Sequence, residues 1–344
     1  MKNLLKHYWP ELLITLGLWV FVGWKLGTLA LTTTIILSLL EITLSADNAV
    51  VNSRVLVKMS KKWQLIFLTV GILIAVFAVR FALPIVLVSA VTGQGGGEVL
   101  RLAIDRPEEY GKLLHDISPV INGFGGMFLF MVALFFFLER GREHLWIKSL
   151  EAPLQKVSNT WWIRPFAIAF VSAITLALVT QNERIEVAWA MVAGAGVYLL
   201  LHGVAVAMTK LNDRNIARQA KVVTQTGMAA FVSFMYLEVL DASFSLDGVI
   251  GAFALTNNII IIMIGLGIGA IWVRTFTLYM VRNNTLVKYR FLDAGAHWAI
   301  FSLAMVMFLK VLNIELPELV IGGIGLVFIS FAVWGSVKNP IIEK

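Results

Sequence analysis

The chain has 344 residues, of which 59% are apolar and only 14% charged, with a mean hydropathy of +0.83. Soluble proteins are about 25% charged, so there is too little polar surface here to wrap globular domains of this total size in water. Cysteine is absent, which excludes thiol catalysis, thiolate zinc sites, iron–sulfur ligation and disulfides.

Apolar runs of about 18 residues or more recur along the chain, and each can cross a hydrocarbon layer about 30 Å thick. Ten runs are predicted as spans, near 10–27, 29–51, 64–90, 119–138, 163–181, 185–208, 227–255, 258–281, 296–312 and 318–336. The first lacks a small-residue cleavage site and reads as a span, not a signal peptide. The first two join tightly through Lys25 to Thr28. The third and fourth are separated by an outside loop, 91–118, whose Gly93, Gly95, Gly96 and Gly97 read as a flexible linker. That run lacks the Lys-Ser/Thr ending of a phosphate-binding loop. The segment 139–165 is mixed in charge, and Trp146, Trp161 and Trp162 suit an interfacial position.

Placement of the basic residues sets an orientation. With the amino terminus inside, inside segments hold 20 of the 28 Lys and Arg residues and outside loops hold six. The remaining two, Arg80 and Arg274, fall within spans. By the positive-inside rule both termini are cytoplasmic. The net charge of +7 therefore marks one face of a membrane and not nucleic acid. The expected fold is all-α: one polytopic membrane helix bundle with lipid around it.

An internal repeat lies in the second and seventh spans. Residues 37–50 read LSLLEITLSADNAV and residues 237–250 read LEVLDASFSLDGVI. Leu37/Leu237, Leu40/Leu240, Ser45/Ser245 and Asp47/Asp247 are identical, and Glu41/Asp241 is a close substitution. The spans that follow also match, GILIAVFAVR at 71–80 against GLGIGAIWVR at 265–274. The halves, 29–138 and 227–312, read as copies of one unit. An odd number of steps separates the acidic spans, so the copies run in opposite directions, an inverted-topology repeat of the kind that puts a transport site at mid-membrane.

A charged carboxylate inside a bilayer costs about 2.5–3.5 kcal/mol or more. Glu41, Asp47, Asp241 and Asp247, with Glu238 as a fifth, therefore require a compensating cation, a water-filled cavity or pairing. Arg80 and Arg274 offer pairing, but four or five acids face two arginines, and a cation site is the preferred reading. Residues six apart on a regular helix lie on different faces. Convergence of Glu41 with Asp47 on one ion thus predicts unwinding near Ser45–Asn48, and again near Ser245–Gly248, where turn-forming residues cluster. Without unwinding, Glu41, Ser45 and Asn48 share one face and Asp47 turns away. The expected metal ligands are Glu41, Asp47, Asn48, Asp241 and Asp247, supported by Ser45, Ser245, Glu238, Arg80 and Arg274. These hard oxygen donors suit magnesium, calcium or manganese. His202 and His297, in or beside spans, read first as packed residues, and the 12 methionines as packing and not a copper path.

These residues resemble the TerC-like integral membrane proteins, which are similar to the wider lysine-exporter-like superfamily, and most nearly the branch catalogued as domain of unknown function 475. The stretches that carry the resemblance are LEITLSADNAVVN at 40–52, NGFGGMFLFMV at 122–132 and LEVLDASFSLDGVIGAFALTNNIIII at 237–262. GLGIGAIWVRTFTLYMV at 265–281 and GAHWAIFSLA at 295–304 complete it. The resemblance implies metal-ion homeostasis, with manganese efflux among relatives, and carries its acidic motif onto Glu41, Asp47, Asn48, Asp241 and Asp247. FLDAGAHW at 291–298 departs from the pattern, which leaves Asp293 without an inherited role. The expected function is a non-enzymatic secondary transporter in a bacterial inner membrane that exports a divalent cation, manganese first, against protons. The alternatives are an intramembrane aspartyl protease and a non-transporting assembly partner. No Gly-x-Gly-Asp context supports the protease.

Overall fold

The computed structural model describes the backbone of residues 2–142, 144–216, 224–253 and 255–339, with side chains for these except 2–7, 208–216, 246–247 and 318–319. The described residues form fifteen helices and no strand. They are α1 (Lys2–Leu26), α2 (Thr28–Leu44), α3 (Ala46–Leu56), α4 (Lys61–Thr92), α5 (Gly96–Asp105), α6 (Pro107–Asp116), α7 (Ser118–Phe137) and α8 (Lys148–Val157). There follow α9 (Ile163–Leu178), α10 (Arg184–Ile216), α11 (Gly227–Phe253), α12 (Ile259–Arg282), α13 (Thr285–Lys288), α14 (Leu292–Val311) and α15 (Glu318–Lys338).

Every predicted apolar run is helical. Among the described residues seven helices are long and apolar enough to cross a membrane, and an eighth crossing results if α2 and α3 form one broken span. Helix α9 is apolar but only 16 residues long. Side chains such as Val20, Trp24, Leu29 and Trp189 are exposed on the outer surface, consistent with contact to lipid. Trp161 and Trp162 are exposed beside α9, whereas Trp146 is partly buried against the core.

At the centre stands α7, with α14, α10 and α11 packed around it. Small residues let these backbones approach, since helices in lipid gain from close van der Waals packing. A Cβ on Gly126 would lie 3.2 Å from Met307 and 3.3 Å from Phe308 of α14, and one on Gly194 of α10 would strike the Phe124 carbonyl. A second close seam joins α12 to α2. There Gly265 faces Leu37 and the Thr34 carbonyl, and one turn on, Gly269 faces Glu41 and the Ser38 carbonyl. A methyl group at Gly265 would come within 2.7 Å of Leu37 Cβ. Gly265→Ala is therefore expected to destabilise by about 1–3 kcal/mol, read as an earlier unfolding midpoint in detergent. Gly203→Ala, with no atom within 4 Å, sets the baseline, and equal midpoints would show that the seam tolerates a methyl group.

The loop 91–118 corrects an expectation. It is a pair of short helices and not a flexible linker. Gly93 ends α4 in the left-handed region at φ 72, and the Gly95 N–H donates to Glu98 at the start of α5. Val99 and Ala103 of α5, with Tyr110 and Leu114 of α6, recur at helical spacing and are buried, which fixes the segment to the bundle.

The acidic helices correct another. The first is broken, with α2 and α3 meeting at 52° and Ser45 at φ −102, ψ 14. Asp47 Oδ1 accepts the Asn48 N–H at 2.9 Å, so a side chain replaces a helical carbonyl at the bend. The break is a kink and not an unwinding, because Ser45 N–H still donates to the Glu41 carbonyl and Ala49 N–H to the Ser45 carbonyl. Helix α11, in contrast, runs without interruption through Ser245–Gly248, so the expected second break is absent. Gly248 stands where the first segment has Asn48, whose side-chain amide donates to Asp241.

Irregular backbone appears instead in α4, where Ile74–Ala82 is π-helical and carries Arg80. Single π segments inside helices concentrate at functional positions.

Candidate functional site

The structure gathers the repeat residues into one buried charge cluster. Glu41 on α2 is 3% exposed, and its Oε1 accepts hydrogen bonds from Arg80 and, at 3.0 Å, from the Ser45 hydroxyl. Arg80 also donates to the Ala75 carbonyl at 2.9 Å, inside its own π-helical turn. In the second half Arg274 on α12 makes a forked pair with Glu238 at 2.9 and 3.0 Å and reaches Asp241 at 3.1 Å. The Arg274 guanidinium lies 4.4 Å from the Phe67 ring centre and donates to the Phe67 carbonyl at 3.0 Å.

Asp241 joins the halves. Its Oδ1 accepts from Asn48 Nδ2 at 2.8 Å, and its Oδ2 lies 4.0 Å from Arg80 Nη1. Residues aligned by the sequence match therefore make similar pairs, Arg80 with Glu41 and Arg274 with Asp241. Gly71 of α4 completes the fit, because a methyl group there would strike Arg274 and come within 2.7 Å of Glu238.

The electrostatic balance is uneven. Among the described residues three carboxylates, Glu41, Glu238 and Asp241, meet two guanidinium groups. In a low-dielectric interior such pairs add little net stability, yet removing one partner is costly. Two hard oxygens in these segments also lack a hydrogen-bond partner, Asn48 Oδ1 and Ser245 Oγ. Buried unsatisfied oxygens are uncommon and call for an explanation such as an ion or water. Ser245 is four residues from Asp241 on an unbroken helix, so it shares that face.

Asp47 does not join the cluster. As expected for a helix that is not unwound, it turns away, toward α14 and α15. Its Oδ2 faces Gly325 beside a small cavity of about 10 Å³ that also touches Ser302, on the scale of one water molecule. The expected five-ligand set is thus divided: Glu41, Asn48 and Asp241 come together and Asp47 stands apart. The Asp247 side chain lies outside the described residues. Among the described residues no three of Asp, Glu, His and Cys are grouped so as to hold a metal ion, because arginines stand between the acids.

The histidines lie elsewhere. His297 stacks on Phe136 at 3.6 Å and pairs with Asp293, which in turn pairs with Arg54. His202 stacks on Tyr198. One buried acid escaped the sequence reading. Glu151 on α8 is fully buried, accepts from Trp298 Nε1 at 3.0 Å and pairs with Arg142 at 3.1 Å. It ties the segment before α9 to α14, and only the apolar spacing around it in an otherwise charged stretch hints at burial.

The family model described as "Protein of unknown function (DUF475)" matches residues 46–341, and the chain belongs to that family. The match begins inside the bend, so Asn48, Arg80, Asp241 and Arg274 fall within it and Glu41 just before it. No curated protein and no solved structure matches the chain.

Proposed function

We propose that this member of the family is a secondary transporter that moves a divalent cation, manganese first, through the cluster formed by Glu41, Asn48 and Asp241. The reading includes ten spans in a bacterial inner membrane, an inverted repeat with both termini cytoplasmic, and kinship with TerC-like exporters. Magnesium and calcium are the alternative ions, since the donors are oxygens.

One observation supports it: carboxylates from the two segments that match in sequence lie in one buried cluster, with one more carboxylate than guanidinium among the described residues. In the arrangement described, Arg80 and Arg274 hold the places that a metal would take. A cation entering the site displaces an arginine, and the arginine returns when the cation leaves. The odd carboxylate carries a proton in the absence of metal, which couples the two fluxes. Rocking of the copies against each other would expose the seam to each side in turn. Asp47, beside its own small cavity, lies off this route and is not a ligand in the proposal.

The test is uptake of manganese into liposomes containing the purified protein, with and without a pH gradient. The proposal expects uptake that follows the gradient. Absence of divalent-cation movement under every gradient would overturn it. It would favour a purely structural network in a non-transporting partner, a reading supported by the arginine already bonded to each described acid of the cluster.

A further inference from the structure

At the end of the bundle where α3 and α7 finish, a cavity of about 780 Å³ opens between α3, α7, α10 and α11. That lies within the range of about 300–1,000 Å³ typical of small-molecule sites. One part of its wall is aromatic, with Phe135, Tyr198 and Tyr236. The other is cationic, with Arg54, Lys58, Arg140 and Arg164 against a single acid, Glu139.

Pairing reduces this set unequally. Arg54 is neutralised by Glu139 at 2.6 Å and Asp293 at 3.3 Å. Arg164 donates to the Leu138 carbonyl at 3.1 Å and lies over the Phe135 ring, and Arg140 donates to Asn159. Neither of these, nor Lys58, has an ion pair with an acid among the described residues. Three cations with no acidic partner among the described residues, set beside aromatic faces, repel a divalent metal and favour a ligand of opposite charge with an apolar body. Arg suits planar oxyanions, and a flexible Lys adds a point charge.

We propose that this cavity binds an amphipathic organic anion. Its phosphate or carboxylate lies against Lys58, Arg140 and Arg164, and its chain or ring against Phe135, Tyr198 and Tyr236. The inference does not depend on transport and concerns a different part of the molecule from the carboxylate cluster. Two sources share this chemistry, an anionic membrane lipid and a soluble organic phosphate or carboxylate.

The experiment measures binding of dodecyl phosphate to the full chain in phosphatidylcholine nanodiscs by titration calorimetry, with inorganic phosphate as a second probe. Saturable binding is expected for dodecyl phosphate and not for inorganic phosphate. Lys58→Gln combined with Arg140→Gln should weaken it at least about tenfold, the worth of a charge-assisted hydrogen bond. Both side chains are exposed, so the fold should tolerate the change, and Lys58→Arg should retain binding. Adding phosphatidylglycerol to the nanodisc assigns the source: competition identifies a membrane lipid, and undiminished binding a soluble anion. The proposal is overturned by the absence of saturable binding, by unchanged affinity in the double variant, or by inorganic phosphate binding equally well.

Discussion

Replacing Arg274 with alanine is expected to lower stability by about 3–5 kcal/mol, because it strands two carboxylates in the interior. Glu238 loses both arms of its fork and Asp241 loses one hydrogen bond, while Arg80 stands 4.0 Å from Asp241 and is already engaged by Glu41. The side chain is 1% exposed, so water cannot enter to relieve the charge without opening the seam. Partial rescue is expected from Arg274→Ala combined with Glu238→Gln, which removes the larger share of the stranded charge. Unfolding in detergent, followed by circular dichroism, reads both effects as shifts in midpoint. A single variant as stable as the parent would mean that the fork contributes nothing to holding α11 against α12.

The largest functional effect is expected at Glu41 and Asp241. Either Glu41→Gln or Asp241→Asn should reduce cation transport by more than about a hundredfold, beyond the 10- to 100-fold typical of a residue that only supports a metal ligand. The two changes should not add, since each alone removes an indispensable part of one site. Asp47→Asn should leave cation binding near the parent value, because Asp47 faces Gly325 and Ser302 and not the cluster. Rates of manganese entry into liposomes, compared across the three variants at equal protein density, check this. Loss in Asp47→Asn together with retention in Asp241→Asn would invert the assignment.

Much of the arrangement was legible in the chain itself. Apolar length located every long helix, since lipid demands an internally bonded backbone over about 20 residues. The repeat identified Glu41, Asp241, Arg80 and Arg274, and the structure brings all four together. Helical phase also foretold that Asp47 would turn away if the backbone stayed coiled. Composition could not tell which of two similar segments would bend. Both carry Ser and Asp, and the bend of the first, where Asp47 accepts the Asn48 N–H, is a local event that composition does not encode. The π-helical turn at Ile74–Ala82 left no trace either, because its residues are ordinary apolar ones and the register shift serves the Arg80 side chain. The helices at 96–116 were obscured by glycines that act as caps, at Gly93 and Gly95. The cationic cavity was hidden because its arginines and lysine look like the usual basic edge of a membrane protein.

The proposed exchange of guanidinium for metal at Glu41 and Asp241 makes binding itself the test. The most direct measurement is manganese binding to the purified chain by electron paramagnetic resonance, with the parent beside Glu41→Gln and Asp241→Asn. One bound ion per chain is expected, lost in each variant alone, if Glu41 and Asp241 belong to one site as proposed. Binding that survives in both variants would contradict it, as would a second ion that each half retains independently.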